Sequence, residues 1–207
     1  MKGKKRIFLK KGKYLLSFLY FVFLLGIGAN ETMTARCNRI PCQNEGNLIF
    51  YSERVMLFLA AGEMTVEGVY FFRNTSLKER TVIMYYPFFI DAAHPYPEWI
   101  DVEGFNFVKE PQGISWRMSF PACSDRVLRV RYRQKLYVNT AVYILTSTQE
   151  WREPLRNAEF IITVPLEWRE LTFSYTPNRC AVKNGLAYYY IFMKNFMPNK
   201  DLVISWN

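Results

Sequence analysis

The most regular set of charged side chains in this sequence is a run of four basic residues spaced two apart. Arg129, Arg131, Arg133 and Lys135 alternate with uncharged residues. On a β-strand this spacing places all four side chains on one face; we call them the basic row. Guanidinium groups favour carboxylate and phosphate partners, so one interpretation of the basic row is a docking strip for an anionic partner.

A structural interpretation of the basic row is also open, and we favour it. Asp101 and Glu103 are likewise two residues apart, and both face away from Ile100 and Val102. On a neighbouring strand they would form cross-strand ion pairs with the basic row. Charge runs on solvent-facing strands are ordinary, so the sequence predicts a solvated, ion-paired face rather than a binding surface.

Residues 85–99, the aromatic loop, are dense in aromatic residues and prolines and contain the only histidine of the chain. Rigid rings beside prolines can stack on sugars or anchor a protein partner at little cost in side-chain entropy. Alternatively, these rings fill the end of a sandwich, because a core needs its aromatic residues first. The candidate binding residues are Tyr85, Tyr86, Asp91, His94, Tyr96 and Trp99, with Arg129, Arg131 and Arg133 from the basic row.

Side chains that could support catalysis are few. His94 with Asp91 is one candidate group, and the carboxyls of Glu98 and Asp101 beside Trp99 are another. The sequence has no G-x-S-x-G, H-E-x-x-H or glycine-rich phosphate motif. Glycosidases need only two carboxylates, so a hydrolase stays open as the minor alternative. We predict no catalytic residue, no metal ligand and no cofactor.

The four cysteines are an even number, which allows two disulfides in three connectivities. We expect Cys123 to pair with Cys180, and Cys37 to pair with Cys42 around Pro41. A zinc site fits less well, because only one pair of cysteines is closely spaced. Free thiols are the alternative if the compartment is not strongly oxidising.

The elements that must position these groups are β-strands. Apolar residues alternate with polar ones, and turn residues interrupt them about every dozen positions. Residues 63–73 alternate clearly, whereas residues 81–90 are nearly all apolar, which predicts a strand buried on both faces that bulges or ends at Pro87. Further candidate strands are 100–108, 116–120, 128–138, 141–148, 158–164, 171–175, 186–196 and 202–206.

About eleven strands and no helix predict an all-β fold, an antiparallel β-sandwich with immunoglobulin-like or Greek-key connections. The strands beyond the seven to nine of a simple immunoglobulin-type domain indicate an elaborated sandwich or two small lobes. We expect three segments: residues 1–29, a polar segment 30–46 with two cysteines, and a β-sandwich domain 47–207.

Residues 1–29 carry seven Lys/Arg and no acid before an apolar run over 14–29. That run is shorter than the roughly 20 residues of a membrane-spanning helix, and it ends in small residues, which predicts a cleaved signal peptide. The alternative is an uncleaved N-terminal anchor with its basic end in the cytoplasm. Under either prediction the rest of the chain is exported. An uncleaved segment would be its only contact with the membrane.

The formal net charge of +9 belongs largely to that leader. Without its seven positive charges, 20 Lys/Arg remain against 18 Asp/Glu. A nucleic-acid partner is therefore not expected, because such partners require a large positive excess.

One stretch in the second half of the chain carries a recognisable set of residues: Tyr143, Leu145 to Thr148, Trp151, Pro154, Leu155, Ala158, Phe160, Val164 and Pro165. This stretch resembles uncharacterised exported bacterial proteins with β-sandwich domains. The resemblance implies an all-β fold and an exported compartment, and it implies no activity and no site residues.

Taken together, the sequence predicts a non-catalytic, extracytoplasmic binding or structural module at the cell envelope. Protein interaction is the favoured function, and carbohydrate binding through the aromatic loop is the alternative. The expected partner is an envelope protein or a polysaccharide, which the sequence does not identify further.

Overall fold

The computed structural model describes residues 42–207, so the predicted leader and Cys37 lie outside the described residues. In this part of the chain there are thirteen strands and one short 3₁₀ helix, Thr146–Trp151. The strands are β1 (Leu48–Ala60), β2 (Glu63–Asn74), β3 (Arg80–Pro87), β4 (Trp99–Val102), β5 (Val108–Glu110), β6 (Gly113–Phe120), β7 (Ser124–Lys135), β8 (Thr140–Tyr143), β9 (Leu155–Pro165), β10 (Thr172–Phe173), β11 (Arg179–Lys183), β12 (Leu186–Phe196) and β13 (Leu202–Ser205).

The strands form one large sheet and two small ones. The large sheet has seven strands in the order β11-β12-β9-β1-β2-β7-β4, and the small sheets have the orders β10-β13-β8 and β3-β6-β5. Every pairing is antiparallel except that of β1 with β9. The chain reaches β9 from the other layer, through β8 and the 3₁₀ helix, and so it runs beside β1 in the same direction.

The core lies between the large sheet and the small sheets. Alternate side chains of β2 are buried, and they face inward beside the buried side chains of β7. Rings meet across the layers, with 5.8 Å between the centroids of Tyr70 and Tyr86 and 5.7 Å between those of Phe72 and Phe120. This arrangement confirms the all-β class and is consistent with a β-sandwich.

Several predicted elements need correction. β3 ends at Pro87 as expected, but Ile83 and Tyr85 are 72% and 52% exposed, so the prediction that it is buried on both faces is wrong. The apolar residues on its outer face line an opening described below. The predicted strand 100–108 is two strands in different sheets, because the chain turns at Gly104, which has a φ of +80°.

The predicted strand 141–148 is also interrupted. β8 ends at Tyr143, and a 3₁₀ helix follows, because the carboxylate of Asp201 accepts hydrogen bonds from the backbone N–H groups of Leu145 and Thr146. Those bonds hold the backbone away from a neighbouring strand. Two strands, β1 and β11, were not expected from the sequence at all. Together with the division of 100–108 into β4 and β5, they account for thirteen strands instead of about eleven.

The disulfide joins Cys42 to Cys123, with 5.7 Å between their Cα atoms, and Cys180 is a free, exposed thiol. Both predicted pairings are therefore wrong. The reason is a short backbone pairing, in which the N–H of Gln43 donates to the carbonyl oxygen of Thr75 at 2.8 Å. This contact brings Cys42 to the end of β2, near the start of β7.

Within residues 42–207 we find no helix that is long and apolar enough to span a membrane. The disulfide is consistent with an extracytoplasmic location.

Candidate functional site

The outer face of the large sheet carries the basic row, and each of its members has an acidic partner. The prediction that Asp101 and Glu103 form cross-strand ion pairs with the row is confirmed, and all of the groups are partly exposed. The hydrogen bond from Lys135 to Glu98 raises the pKa of that lysine. The pairs are Arg129 with Glu103 at 2.9 Å, Arg131 with Asp101 at 2.6 Å, Arg133 with Glu63 at 3.6 Å and Lys135 with Glu98 at 2.6 Å.

His94 of the aromatic loop is a buried structural residue. Its Nδ1 lies 2.8 Å from Oδ1 of Asp91, and its Nε2 lies 2.9 Å from the carbonyl oxygen of Thr140. Asp91 also accepts hydrogen bonds from the backbone N–H groups of Ala93 and His94. The pKa of Asp91 is lowered, mainly by its hydrogen bond with the His94 ring. Both ring nitrogens are therefore engaged in holding the loop.

The other candidate rings of the aromatic loop divide into two groups. Tyr86 is buried, and Tyr96 donates a hydrogen bond of 2.7 Å to the carbonyl oxygen of Gly113, so these two rings fasten the loop to the sandwich. Tyr85 and Trp99 are 52% and 45% exposed, and they lie on strands of different sheets, β3 and β4. The structure thus leaves these two among the predicted aromatic binding residues with accessible rings.

A cavity of about 390 Å³ opens between β3 and the segment that contains the 3₁₀ helix. At its rim, Ile83, Tyr85 and Glu150 are exposed. Its inner wall is formed by buried side chains from β1, β2, β6, β7 and β8, among them Glu53 and Trp116. A volume of this size falls in the range of small-molecule sites. We call it the Glu53 cavity.

A β-bulge in β1 places Glu53 on the inner face. Phe50 pairs with Phe72 and Ser52 pairs with Phe71, so Tyr51 is an extra residue in β1. The bulge changes which positions face inward: Phe50 is buried before it, and Glu53 is buried after it. Bulges of this kind redirect side chains and are frequent beside functional sites.

The carboxyl of Glu53 is buried, and no described residue neutralises it. The side chain is 4% exposed, and among the described residues its Oε1 has no hydrogen-bond partner. Burial raises the pKa of Glu53 to about 8, because an ionised carboxylate loses its hydration there. The group therefore holds a proton at neutral pH.

Three tyrosine hydroxyls form a cluster beside Glu53. The hydroxyl of Tyr70 lies 2.8 Å from those of Tyr86 and Tyr143, which are 3.4 Å from each other. Tyr70 is the direct cross-strand neighbour of Glu53, and burial raises the pKa of all three phenols. The three hydroxyls largely satisfy one another.

Gly68 makes the position of Tyr70 possible. The Tyr70 ring folds back along β2 over Gly68, and a Cβ on that residue would overlap the Tyr70 hydroxyl. The missing side chain at Gly68 therefore gives the ring room to reach the other tyrosines.

Aromatic rings form much of the cavity wall. Phe50 stacks on Phe72 with 5.0 Å between centroids, and Trp151 lies 5.8 Å and 5.2 Å from them. Trp116 is 4% exposed, and its Nε1 has no hydrogen-bond partner among the described residues. Among the residues that the structure describes, the wall thus combines apolar rings with two buried polar atoms that lack a partner, Oε1 of Glu53 and Nε1 of Trp116.

Sequence reasoning missed this site, although a signal was present. From Glu53 onward, Val55, Leu57 and Leu59 alternate with more exposed residues, so the carboxyl continues an apolar face. The stretch Tyr51 to Arg54, which contains Glu53, hides the strand, because the bulge there breaks the period of two. An acid in phase with three apolar residues is the signal that could have identified it.

Chemically, this arrangement can bind a small molecule and hold a proton at Glu53. Within residues 42–207 no group of three or more His, Cys, Asp or Glu side chains is placed to hold a metal ion.

The chain matches no family model, and it matches no curated protein. Among solved structures it is similar to a proposed nutrient-binding protein of Legionella pneumophila, with a TM-score of 0.58 and 14% identity, over 81% of this chain and 68% of that one. At this identity the likeness shows the fold alone. It also matches an M1 zinc metallopeptidase of Deinococcus radiodurans at a TM-score of 0.45 and 9% identity, over 78% of this chain and 43% of that one. That TM-score is too low for the likeness to carry an argument.

Proposed function

We propose that this chain is an extracytoplasmic binding domain that holds a small organic molecule in the Glu53 cavity. One observation carries the proposal: a buried carboxyl oxygen with no hydrogen-bond partner in residues 42–207 lines an opening of about 390 Å³. Leaving such a group unpaired is costly, and a bound molecule that donates a hydrogen bond would remove that cost.

Two further observations support the same function. The indole N–H of Trp116 is a second buried polar group in the wall, and it would orient a ligand that carries an acceptor. The similar Legionella pneumophila protein is named for nutrient binding, which agrees with capture of a small molecule outside the cytoplasm. We propose that the domain binds its ligand without catalysis.

A cavity-filling variant tests this proposal with N-phenyl-1-naphthylamine, a neutral dye that becomes fluorescent in apolar sites. Ser147→Trp places a large ring in the cavity wall, whereas Ser119→Trp adds the same ring on β6 outside the lining residues. We expect saturable one-to-one binding to the wild type and to Ser119→Trp, and a loss of about tenfold in affinity for Ser147→Trp. Equal binding by all three proteins would contradict the proposal.

Protein or carbohydrate binding at the cell envelope is proposed separately, on the exposed rings of Tyr85 and Trp99. Tyr85 also lies at the rim of the Glu53 cavity, so a bound sugar chain could extend from it. If this proposal holds, Tyr85→Ala should weaken retention on a polysaccharide column. Unchanged retention of both Tyr85→Ala and Trp99→Ala would contradict it.

A hydrolase is the remaining candidate, because Glu53 and Glu150 line the same cavity. A buried carboxyl that keeps its proton at neutral pH can act as a general acid, with a second carboxylate as its partner. Release of nitrophenol from a panel of nitrophenyl glycosides, abolished in Glu53→Gln, would support this candidate. If the wild type releases nitrophenol no faster than Glu53→Gln does, hydrolysis of these substrates is excluded.

A further inference from the structure

The carboxyl and basic side chains in the described lining of the Glu53 cavity are all carboxyls. Its described lining residues include two carboxyls, Glu53 deep in the wall and Glu150 at the rim, and no Lys, Arg or His. The outer face of the same sheet differs, since each base of the basic row has an acid beside it. An anionic ligand would face only like charges here, whereas a cation would have a partner.

The rings of the wall also favour a cation. Eight of the lining residues are aromatic, and they come from both layers of the sandwich. The faces of aromatic rings attract cations, most strongly where water is excluded. A carboxyl combined with aromatic walls is the chemistry that recognises an ammonium group on an apolar body.

Glu53 itself distinguishes an amine from a neutral molecule. Its unpaired Oε1 needs a hydrogen-bond donor, and an ammonium N–H is a stronger donor to a carboxylate than a hydroxyl is. Because burial without a partner opposes ionisation of Glu53, only a cation would offset that cost and bring the group to its charged form.

We propose that the Glu53 cavity binds a protonated organic amine, whose ammonium group pairs with the Glu53 carboxylate while its apolar part packs on the surrounding rings. This inference rests on the proposed function and names its ligand class. Near neutral pH, binding releases the proton of Glu53 to solvent, and the charged product is a buried ion pair.

Other titratable groups near Glu53 keep one protonation state during this exchange. The phenols of Tyr70, Tyr86 and Tyr143 face it from β2, β3 and β8, and burial holds their pKa values above the ordinary range. Ala158, its partner on β9, does not titrate. Glu150 lies at the exposed rim. The released proton is therefore assigned to Glu53.

A series of probes with one shape and different charge tests the inference. Phenethylamine, 2-phenylethanol and 3-phenylpropionate are titrated by calorimetry into the full-length protein with its disulfide formed. We expect phenethylamine to bind wild type at least about tenfold more tightly than the alcohol, and the carboxylate to bind most weakly. Affinity for the amine should rise from pH 6 to pH 8, as Glu53 loses its proton more readily.

Glu53→Gln removes the charge but keeps the shape, and Glu67→Gln is the matched control. Glu67 lies on β2 opposite Arg131 on the outer face, so its substitution changes the net charge equally. We expect Glu53→Gln to bind the amine and the alcohol equally, and Glu67→Gln to keep the wild-type preference. If Glu53→Gln does not fold, titrations of wild type in buffers of different ionisation enthalpy still report the proton released, which should approach one at pH 7.

The outcomes separate this inference from the proposed function. Equal affinity of wild type for phenethylamine and 2-phenylethanol, or no proton release, would overturn the amine assignment. In that case, saturable binding of the neutral dye would leave the proposed function standing. If neither the dye nor any of the three probes binds, both proposals fall.

Discussion

The two faces of the large sheet differ in how their charged side chains are paired and hydrated. On the outer face, Arg131 and its neighbours each lie beside an acid, and all of these groups remain in contact with water. On the inner face, Glu53 has a buried oxygen with no hydrogen-bond partner in the part of the chain that the structure describes. The outer pairs are ordinary surface electrostatics, whose contribution is small. The inner carboxyl is costly to keep, so it is the better indicator of function.

This contrast arises from one extra residue. The strands of the sheet alternate regularly between the two faces, and charged side chains fall on the outer one. The bulge at Tyr51 shifts the alternation of β1, so that Glu53 turns inward beside Tyr70. A local irregularity in the backbone thus creates the polar wall of the cavity.

The largest effect on the inner face is expected from Gly68→Ala. The added Cβ would displace the Tyr70 ring and separate its hydroxyl from Tyr86 and Tyr143. We expect a loss of about 4 kcal/mol in the free energy of unfolding, from strain and broken hydrogen bonds together. Urea unfolding measures it. Gly104→Asn is the control, because the space around Gly104 is open and asparagine tolerates its positive φ; an equal loss in both variants would contradict this account of Tyr70.

The next effect is the pH dependence of stability. The folded-state pKa of Glu53, about 8, lies above its ordinary value of 4.5. The stability that depends on protonated Glu53 is fully present below about pH 4.5, and it is lost as the pH rises through about 8. In ligand-free protein, wild type should lose about 1 kcal/mol per pH unit relative to Glu53→Gln across this window. Thermal unfolding of both proteins from pH 4 to pH 9 checks this, and parallel curves would show that Glu53 ionises freely.

The smallest effect is expected on the outer face, from Arg131→Ala. Arg131 and Asp101 form an ion pair in which both side chains are more than one third exposed. We expect a change of about 0.5 kcal/mol in unfolding free energy, and less in high salt. A double-mutant cycle with Asp101→Ala measures the pair. A coupling energy of several kcal/mol would remove the contrast between the two faces.

Binding to anionic surfaces should show the same contrast. Because the basic row is neutralised by its acidic partners, Arg131→Glu should leave retention on anionic vesicles at low salt nearly unchanged. Cosedimentation measures this retention. A large drop in the retention of Arg131→Glu would indicate that the outer face is a binding surface.

The sequence predicts those features that depend on regular alternation. The all-β class, the inward face of β2 and the ion pairs of Asp101 and Glu103 all follow from a period of two. The predictions failed where long-range contacts decide. The pairing of Cys42 with Cys123 depends on Gln43 lying beside Thr75, and no local pattern indicates that contact.

The candidate site was the least predictable part. The aromatic loop and the basic row attract attention because their residues are close in sequence, but their hydrogen bonds and ion pairs are mostly internal. The Glu53 cavity instead gathers single residues from six strands and the 3₁₀ helix. Strand β1 was missed because its bulge interrupts the alternation, and with it the one carboxyl that matters most to this account.

The titration of Glu53 distinguishes a buried carboxyl that a bound amine ionises from an ordinary, hydrated carboxyl. Carbon-13 NMR of the side-chain carboxyls, with Glu53→Gln to assign the signal, follows its ionisation with and without phenethylamine. We predict a pKa of about 8 in the free protein, and a lower pKa when the amine is bound. A Glu53 signal that titrates near pH 4.5, or a pKa that phenethylamine does not change, would contradict the account.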